Sequence, residues 1–132
     1  MDSESPETGK VVAVEYDPEP TLSAFARGEY ERVMQLARPY AEAGNSWAQC
    51  NVSMLYQFGL GVEKDVLEAE RWLLKAAAQD NCVAWNNLGT LYAMCYPELA
   101  EHCGETLKCF LKAKELGFNC ADPYPPPYLL QP

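Results

Sequence analysis

The feature that most constrains the fold of this chain is an internal repeat. Residues 48–56 match residues 84–92 at a spacing of 36, with alanine, leucine and tyrosine at equivalent positions. A second match, at a spacing of 37, aligns Lys75-Ala76 with Lys112-Ala113. Two matched segments per period are typical of stacked helix pairs, because each pair buries its apolar face only against the next pair. The repeat therefore predicts an α-solenoid.

The local sequence between residues 21 and 119 favours helices throughout. Pro39 and Pro97 are its only prolines, and apolar residues recur three and four positions apart. Within residues 65–79 the apolar side chains form one stripe, and Asp65 is placed to cap the start of a helix, with Glu68 three residues later. We therefore expect an all-α fold, an α–α superhelix of about five to six antiparallel helices.

Composition divides the chain into three parts. Residues 1–20 contain six acidic residues against one lysine, three prolines and no helical period, so we predict a flexible acidic arm. Residues 21–119 form the predicted repeat domain. Residues 120–132 contain five prolines and are predicted to form a proline-rich C-terminal tail, extended at best, because proline fixes φ and lacks an N–H donor.

The repeated residues resemble a known family. From residue 48 to residue 92 the chain reads A-x6-L-Y-x2-G-x-G-V-x2-D-x3-A-x2-W-x2-K-A-A and then A-x3-L-G-x-L-Y. This pattern resembles a Sel1-like repeat, a relative of the tetratricopeptide repeat. The flanking units are degenerate. Residues 25–44 resemble a second helix whose first helix is short or lost, and residues 95–104 replace a glycine loop.

The resemblance implies a role in binding rather than catalysis. We expect a protein–protein interaction module, an adaptor or regulator, that is not an enzyme and needs no cofactor. Gly59 and Gly61 are explained by a tight reversal between antiparallel helices, since glycine readily adopts positive φ. The chain has one histidine and neither a GxSxG nor an HExxH motif, so the sequence gives catalysis little support.

The charge of the chain limits its partners. Lys and Arg number 10 against 19 Asp and Glu, giving a formal net charge of −9. Binding to phosphate backbones or anionic lipids requires the opposite sign. No apolar stretch approaches the roughly 20 residues needed to cross a bilayer, and the first residues lack a signal-peptide pattern. We expect another protein, a peptide or helix, as partner in the cytoplasm, without nucleic acid, membrane or small-molecule substrate.

The six cysteines allow two interpretations. Cys50 aligns with Asn86 and Cys82 with Ser46, so the cysteines do not repeat as a disulfide framework would. Reduced, mostly structural thiols are therefore expected. The alternative function is a zinc-binding or redox-responsive regulatory protein, because four possible ligands cluster in the sequence. They are Cys95, His102, Cys103 and Cys109.

The concave face is the predicted binding site. In solenoids of this kind the first helix of each pair lines the inner surface. If Leu88, Gly89 and Tyr92 are assigned to helix packing, one inward stripe remains on their helix, and a corresponding stripe lies one repeat earlier. The stripes contain Trp47, Cys50, Met54, Gln57, Val83, Asn86, Thr90 and Met94. The alternative is that Trp47 and Met54 pack against the preceding helix.

The predicted tail contains a short motif. Pro125, Pro126, Pro127 and Tyr128 match PPxY, a ligand pattern for WW domains, which bind preformed polyproline-II segments. The alternative is a cap in which the apolar side chains of the tail cover the exposed last helix. These side chains are Tyr124, Tyr128, Leu129 and Leu130.

Overall fold

A computed structural model describes residues 16–118 of the chain. These residues form α1 (Glu19–Ala26), α2 (Tyr30–Glu42), α3 (Ser46–Phe58), α4 (Val66–Ala77), α5 (Cys82–Ala93), a 3₁₀ segment (Pro97–Glu105) and α6 (Thr106–Glu115). The described residues contain no strand, and the all-α prediction is confirmed. Residues 1–15 and 119–132, which include most of the predicted arm and all of the predicted tail, lie outside the described residues.

The helices form three antiparallel pairs stacked in chain order. α1 pairs with α2, α3 with α4 and α5 with α6, while α2 also contacts α3 and α4 contacts α5. The first helices of neighbouring pairs, α3 and α5, lie side by side. The first pair begins with α1, which has only eight residues. Of the two alternatives for this degenerate unit, the first helix is therefore short rather than lost.

Each pair ends in the same turn. A residue with left-handed backbone follows each second helix, at Gly44 (φ 110°), Asp80 (φ 60°) and Gly117 (φ 103°). The next residue then donates its backbone N–H to a carbonyl five positions back. The pairs are Asn45–Tyr40 at 2.9 Å, Asn81–Ala76 at 3.4 Å and Phe118–Ala113 at 2.9 Å. This is the Schellman hydrogen bond that closes a helix end. The three pairs therefore share the backbone conformation of this turn as well as a sequence pattern.

Side-chain caps start the central helices. Asn45 accepts from the N–H of Ala48 at the start of α3, at 3.0 Å. Asp65 accepts from the N–H of Glu68 at the start of α4, also at 3.0 Å, as the sequence predicted. Each cap satisfies a backbone donor that the first turn of a helix leaves unpaired.

The glycine loop between α3 and α4 has the predicted backbone. Gly59 and Gly61 have φ values of 65° and 72°. A Cβ atom on Gly61 would lie 2.9 Å from the backbone of Tyr30 and Glu31. Only glycine therefore allows this loop to pack closely against the start of α2.

The core consists of three apolar clusters, and α3 contributes to all of them. The first joins α1, α2 and α3 and contains Ala24, Phe25, Val33, Met54 and Leu55. The second joins α2, α3 and α4 and contains Ala37, Ala41, Ala48, Val52 and Trp72. The third joins α3, α4, α5, the 3₁₀ segment and α6, with members that include Cys50, Leu73, Leu88, Leu91, Leu99 and Cys109.

The described helices are short, with eight to thirteen residues each. Crossing a bilayer takes about 20 apolar residues in one helix. None of the helices in residues 16–118 has the length and apolar composition for such a crossing.

Candidate functional site

The structure separates the eight predicted binding residues into an accessible and a buried group. Trp47 and Met94 have 45% and 55% of their surface exposed. Thr90 is exposed and Asn86 is half-buried. The remaining four, Cys50, Met54, Gln57 and Val83, are buried. Because these four residues keep at most 6% of their surface accessible, the candidate site is reduced to the first four.

The burial of Met54 has a clear cause. Met54 lies in the cluster with Ala24 and Phe25, because the short helix α1 packs beside α3. The prediction that Met54 faces a partner is therefore wrong. Its alternative, packing against the preceding elements, describes this residue correctly, since Leu36 of α2 packs against the same cluster.

The other buried members were misplaced for a similar reason. Cys50 and Val83 belong to the cluster shared by α3, α4 and α5, so they face the neighbouring helices instead of the predicted concave face. Burial raises the pKa of the Cys50 thiol, which keeps that thiol protonated at neutral pH. Gln57 is also buried, and its Nε2 has no hydrogen-bond partner within the described part of the chain.

Trp47 lines a cavity of about 430 Å³. The other residues around the cavity are Tyr16, Pro18, Leu22, Asn45 and Asn51. They come from the segment before α1, from α1 itself and from the start of α3. The wall thus combines apolar and aromatic surface with two amide side chains, the composition typical of a binding pocket.

The rim of this cavity is held in place by Tyr16. Its hydroxyl donates to Thr21 Oγ1 at 3.1 Å and accepts from Asn51 Nδ2 at 2.9 Å. Its ring centroid lies 5.0 Å from that of Tyr40. Burial raises the pKa of the Tyr16 hydroxyl, so the group remains a donor at neutral pH. The cavity next to Trp47 is therefore built from fixed side chains.

Tyr16, Pro18 and Leu22 were not predicted as site residues. Tyr16 and Pro18 fall in the predicted arm, whose composition gave no reason to expect packing. The available signal was the short first helix of the degenerate unit. Placing that helix beside α3 brings the residues that precede it to the start of α3, where Trp47 lies.

The accessible residues are spread along the first helices. Trp47 lies in the first turn of α3, and its equivalent at a spacing of 36 is Val83 in α5. Met94 follows the last turn of α5. Since a helix rises 1.5 Å per residue, Met94 lies roughly 16 Å further along the helix direction than the level of Trp47. Asn86 and Thr90 lie at intermediate levels.

The histidine of the proposed metal cluster has carboxylate neighbours instead of thiols. His102 Nδ1 lies 2.9 Å from Glu105 Oε2, and its Nε2 lies 3.7 Å from Glu70 Oε2. The ring stacks on Tyr92 with centroids 5.1 Å apart. Tyr92 in turn donates its hydroxyl to Glu70 at 2.7 Å. These contacts attach the 3₁₀ segment to α4 and α5.

The cysteines of that cluster do not converge on a metal site. Cys109 is buried in the core, where desolvation raises the pKa of its thiol. The pKa of the Cys103 thiol is raised chiefly by its hydrogen bond with Cys95. Zinc binds thiolates, which both shifts disfavour. Within residues 16–118, no three His, Cys, Asp or Glu side chains are grouped to hold a metal ion, so the described structure does not support the zinc alternative.

The predictions of reduced thiols and of a PPxY motif involve residues on both sides of the boundary at residue 118. The five described cysteines are free thiols: Cys50, Cys82, Cys95, Cys103 and Cys109. Cys120 lies outside the described residues, as do Pro125, Pro126, Pro127 and Tyr128 of the PPxY motif. The motif therefore stays a prediction.

Comparison with known proteins agrees with the repeat. The sequence-family model of the Sel1 repeat matches residues 48–81. The structure is similar to the crystal structure of a Sel1 repeat protein from Oxalobacter formigenes, with a TM-score of 0.65 and 26% sequence identity. The similarity covers 80% of this chain and 46% of that one, so this chain spans less than half the length of that protein. A comparison with curated proteins found no match.

The family match and the structural match rest on different observations. The first depends on residue types within one repeat, and the second on a structural similarity that covers 80% of the chain. Proteins with Sel1 repeats typically mediate protein–protein interaction. Together, the two matches support the similarity of this chain to the Sel1-like repeat family.

Proposed function

We propose that the protein is an adaptor or regulator that binds a peptide or helix of another protein. The binding surface in this proposal is formed by α3 and α5, the first helices of the second and third pairs. The observation that carries the proposal is Trp47, which is 45% exposed beside a cavity of about 430 Å³. Tryptophan is enriched among the residues that dominate the energy of protein interfaces, because it buries a large rigid surface. The proposed contact residues are Trp47, Asn86, Thr90 and Met94.

The rigidity of the site supports this role. The hydrogen bonds of Tyr16 to Thr21 and Asn51 fix the rim without a ligand. A preformed site loses little conformational entropy when it binds, so more of the contact energy remains as affinity.

The spacing of the accessible residues favours an elongated ligand. A length of roughly 16 Å corresponds to about three helical turns, or to about five residues of extended chain. In the proposed mode, an apolar side chain of the ligand enters the cavity beside Trp47. Asn86 and Thr90 supply hydrogen bonds, and Met94 supplies an adaptable apolar contact at the far end.

The proposal assigns no reaction and no cofactor to the protein. Sel1 repeat scaffolds are typically non-enzymatic. We place the protein in the cytoplasm, because the five described thiols are free, which suits a reducing compartment.

The proposal is tested with peptides selected from a random library displayed against the full chain. Affinities for the selected peptide are measured by calorimetry for the native protein and three variants. We expect Trp47→Ala to weaken binding about 30-fold, as loss of about 2 kcal/mol at a central aromatic contact implies. Asn86→Ala should weaken it several-fold. Leu67→Ala removes an apolar side chain of similar exposure, 47%, from α4 and should leave affinity unchanged.

Circular dichroism separates binding from folding. Trp47→Ala and Asn86→Ala should retain native helicity. The proposal is wrong if both variants bind the peptide as the native protein does, or if both sharply lower the melting temperature without affecting binding.

A further inference from the structure

Two cysteine thiols meet at the turn that follows α5. The thiol of Cys103, in the 3₁₀ segment, is hydrogen-bonded to the thiol of Cys95. Leu99 lies between them in the sequence and is buried in the third apolar cluster, so the chain folds back on itself here. Cys95 is exposed and Cys103 is half-buried. The two thiols are therefore in mutual contact and accessible from solvent.

The backbone at Cys95 is unfavourable for a cysteine. Its φ of 49° lies in the left-handed region, which is uncommon for residues other than glycine. At a spacing of 36, the equivalent residue in the central repeat is Gly59, with a φ of 65°. The last unit thus holds a cysteine, at a cost in backbone energy, where the central repeat has glycine. Because such strain is concentrated at functional sites, the Cys95 side chain is a candidate for a chemical role.

The two thiols of this pair are not equivalent. The hydrogen bond with Cys95 is the chief cause that raises the pKa of Cys103, which identifies Cys103 as the donor in that bond. The sulfur of Cys95 is then the acceptor, and it belongs to the more exposed residue of the two. An oxidant in solution therefore reaches Cys95 first, with the Cys103 thiol already beside it.

Within residues 16–118, the other cysteines form no second accessible pair. Cys50 and Cys82 are close enough to interact electrostatically, but Cys50 has 0% of its surface exposed. Cys109 is buried as well. Since an oxidant must reach a sulfur atom to react with it, the core protects these thiols. The pair of Cys95 and Cys103 is thus distinguished by both contact and access.

We propose that Cys95 and Cys103 form a redox-sensitive site, at which a hydroperoxide converts the two thiols into a reversible disulfide. The Cys95 thiolate attacks the O–O bond, its sulfur is oxidised to a sulfenic acid, and the leaving oxygen takes up the thiol proton as water or an alcohol. The Cys103 sulfur then attacks that of Cys95. The S–S bond forms, the S–O bond breaks, and hydroxide leaves with the Cys103 proton as water. Two thiols lose two electrons and one hydroperoxide gains them, and a dithiol reverses the change by exchange.

The contact between the thiols favours the second step. Groups held in a reactive arrangement behave as if their local concentration were very high. The disulfide joins the turn after α5 to the 3₁₀ segment and so restrains that segment. A disulfide that forms only under oxidant suits a protein of a reducing compartment. This proposal is independent of the partner-binding face at Trp47.

The test treats the reduced full chain with hydrogen peroxide. The remaining thiols are blocked with iodoacetamide in denaturant, and the linkages are mapped by tandem mass spectrometry after digestion with trypsin and a glutamate-specific protease. We expect a linkage between Cys95 and Cys103 that forms about tenfold faster than any other, because only these thiols combine contact with access. Dithiothreitol should remove it. The matched control, Cys82→Ser, replaces a half-buried cysteine outside the pair and should form the linkage at the native rate.

Two variants test the order of the steps. Cys103→Ser should leave Cys95 as a sulfenic acid, which dimedone labels, and Cys95→Ser should slow the oxidation of Cys103 about tenfold. The proposal is overturned if both thiols stay reduced in the native protein, or if Cys95 links instead to Cys120 or to a second molecule. Oxidation of Cys95 to a sulfinic acid without any linkage would overturn it as well. Since the linkage is mapped in the native chain, this decision does not depend on how the variants fold.

Discussion

Asn81 donates a hydrogen bond from Nδ2 to Oγ of Ser46, at 2.9 Å, across two repeats. Its Oδ1 accepts at the same time from the backbone N–H groups of Val83 and Ala84, at 2.9 and 3.1 Å. One buried side chain thus caps α5 and attaches it to the start of α3. The two contacts make Asn81 a joint between neighbouring first helices.

We expect Asn81→Ala to lower the free energy of unfolding by about 2 kcal/mol, because it removes a cap and a buried hydrogen bond together. Ser46→Ala loses only the bond between repeats and should cost about 1 kcal/mol. Asn81→Asp keeps the capping oxygen and should resemble Ser46→Ala more than Asn81→Ala. Urea titrations followed by circular dichroism measure all three. If Asn81→Ala costs no more than Ser46→Ala, the cap contributes nothing.

Gly89 is a position where the protein depends on the absence of a side chain. A Cβ atom there would lie 2.6 Å from ring carbons of Phe110. Alanine gains about 1 kcal/mol of helix propensity over glycine, but the overlap with Phe110 costs about 1–3 kcal/mol. We expect Gly89→Ala to destabilise the protein by about 1 kcal/mol net. A thermal melt measures the change.

Gly104 provides the matched control for Gly89. No heavy atom would lie within 4 Å of a Cβ at Gly104. Gly104→Ala should therefore leave stability within about 0.5 kcal/mol of the native value. Truncating the ring with Phe110→Ala in the Gly89→Ala background should remove the penalty of the overlap. A Gly89→Ala protein more stable than the native one would contradict this packing.

The charge on His102 should make stability depend on pH. The hydrogen bond with Glu105, helped by the nearby Glu70 and Glu101, raises the pKa of His102 above its usual 6.5. The folded state therefore holds the proton more tightly than the unfolded state does. This stabilisation is fully present below pH 6.5 and is lost as the pH rises through the folded pKa.

Thermal melts between pH 5 and pH 9 test this linkage. The melting temperature of the native protein should fall more steeply with increasing pH than that of His102→Gln. Glu105→Gln should also make this fall less steep, because it removes the principal cause of the raised pKa of His102. Parallel curves for the native protein and His102→Gln would show that the histidine does not contribute.

The described thiols should react in an order set by burial. Cys95 is exposed, whereas Cys50 and Cys109 are buried with raised pKa values. The thiolate is the reactive form, so iodoacetamide at pH 8 should modify Cys95 first. Cys50 and Cys109 should react only when the protein unfolds. Peptide mass spectrometry resolves the sites, and rapid modification of Cys50 in the native protein would contradict the described core.

Cys103 offers an internal check on this order. Its thiol pKa is raised chiefly by the hydrogen bond with Cys95. Cys95→Ala removes that bond and should accelerate the modification of Cys103. An unchanged rate at Cys103 would indicate that its reactivity is limited by access alone.

The sequence was most informative where residues are determined within one repeat. Gly59, Gly61 and Asp65 have the predicted roles, because a tight loop and a helix cap depend on neighbours a few residues away. The stacked helix pairs also followed, since the period of the repeat determines which surfaces must be buried together.

Burial caused by neighbouring repeats was harder to predict. Met54 and Thr90 are equivalent in sequence, yet only Met54 is covered, by α1. Cys50 and Asn86 differ in the same way, because α5 lies beside α3. A helical period shows which residues share a face, but which faces are covered depends on how many helices precede and follow.

The composition of the 3₁₀ segment was a misleading guide. His102 stands among cysteines in the sequence, and that proximity suggested a metal site. Its partner Glu70 lies on α4, more than thirty positions away, and no local pattern connects the two. A contact between two elements of the stack cannot be read from the residues of one element.

The unequal sharing of the core has a kinetic consequence. α3 belongs to all three apolar clusters, whereas α1 belongs to one, so opening α1 breaks far fewer contacts than opening α3. Amide hydrogens of α1 should exchange with solvent through local opening, and those of α3 only through global unfolding. Tyr16 and Leu22 of the Trp47 cavity belong to this easily opened end. A partner bound in the Trp47 cavity, which Leu22 of α1 lines, would therefore slow exchange more in α1 than in α3.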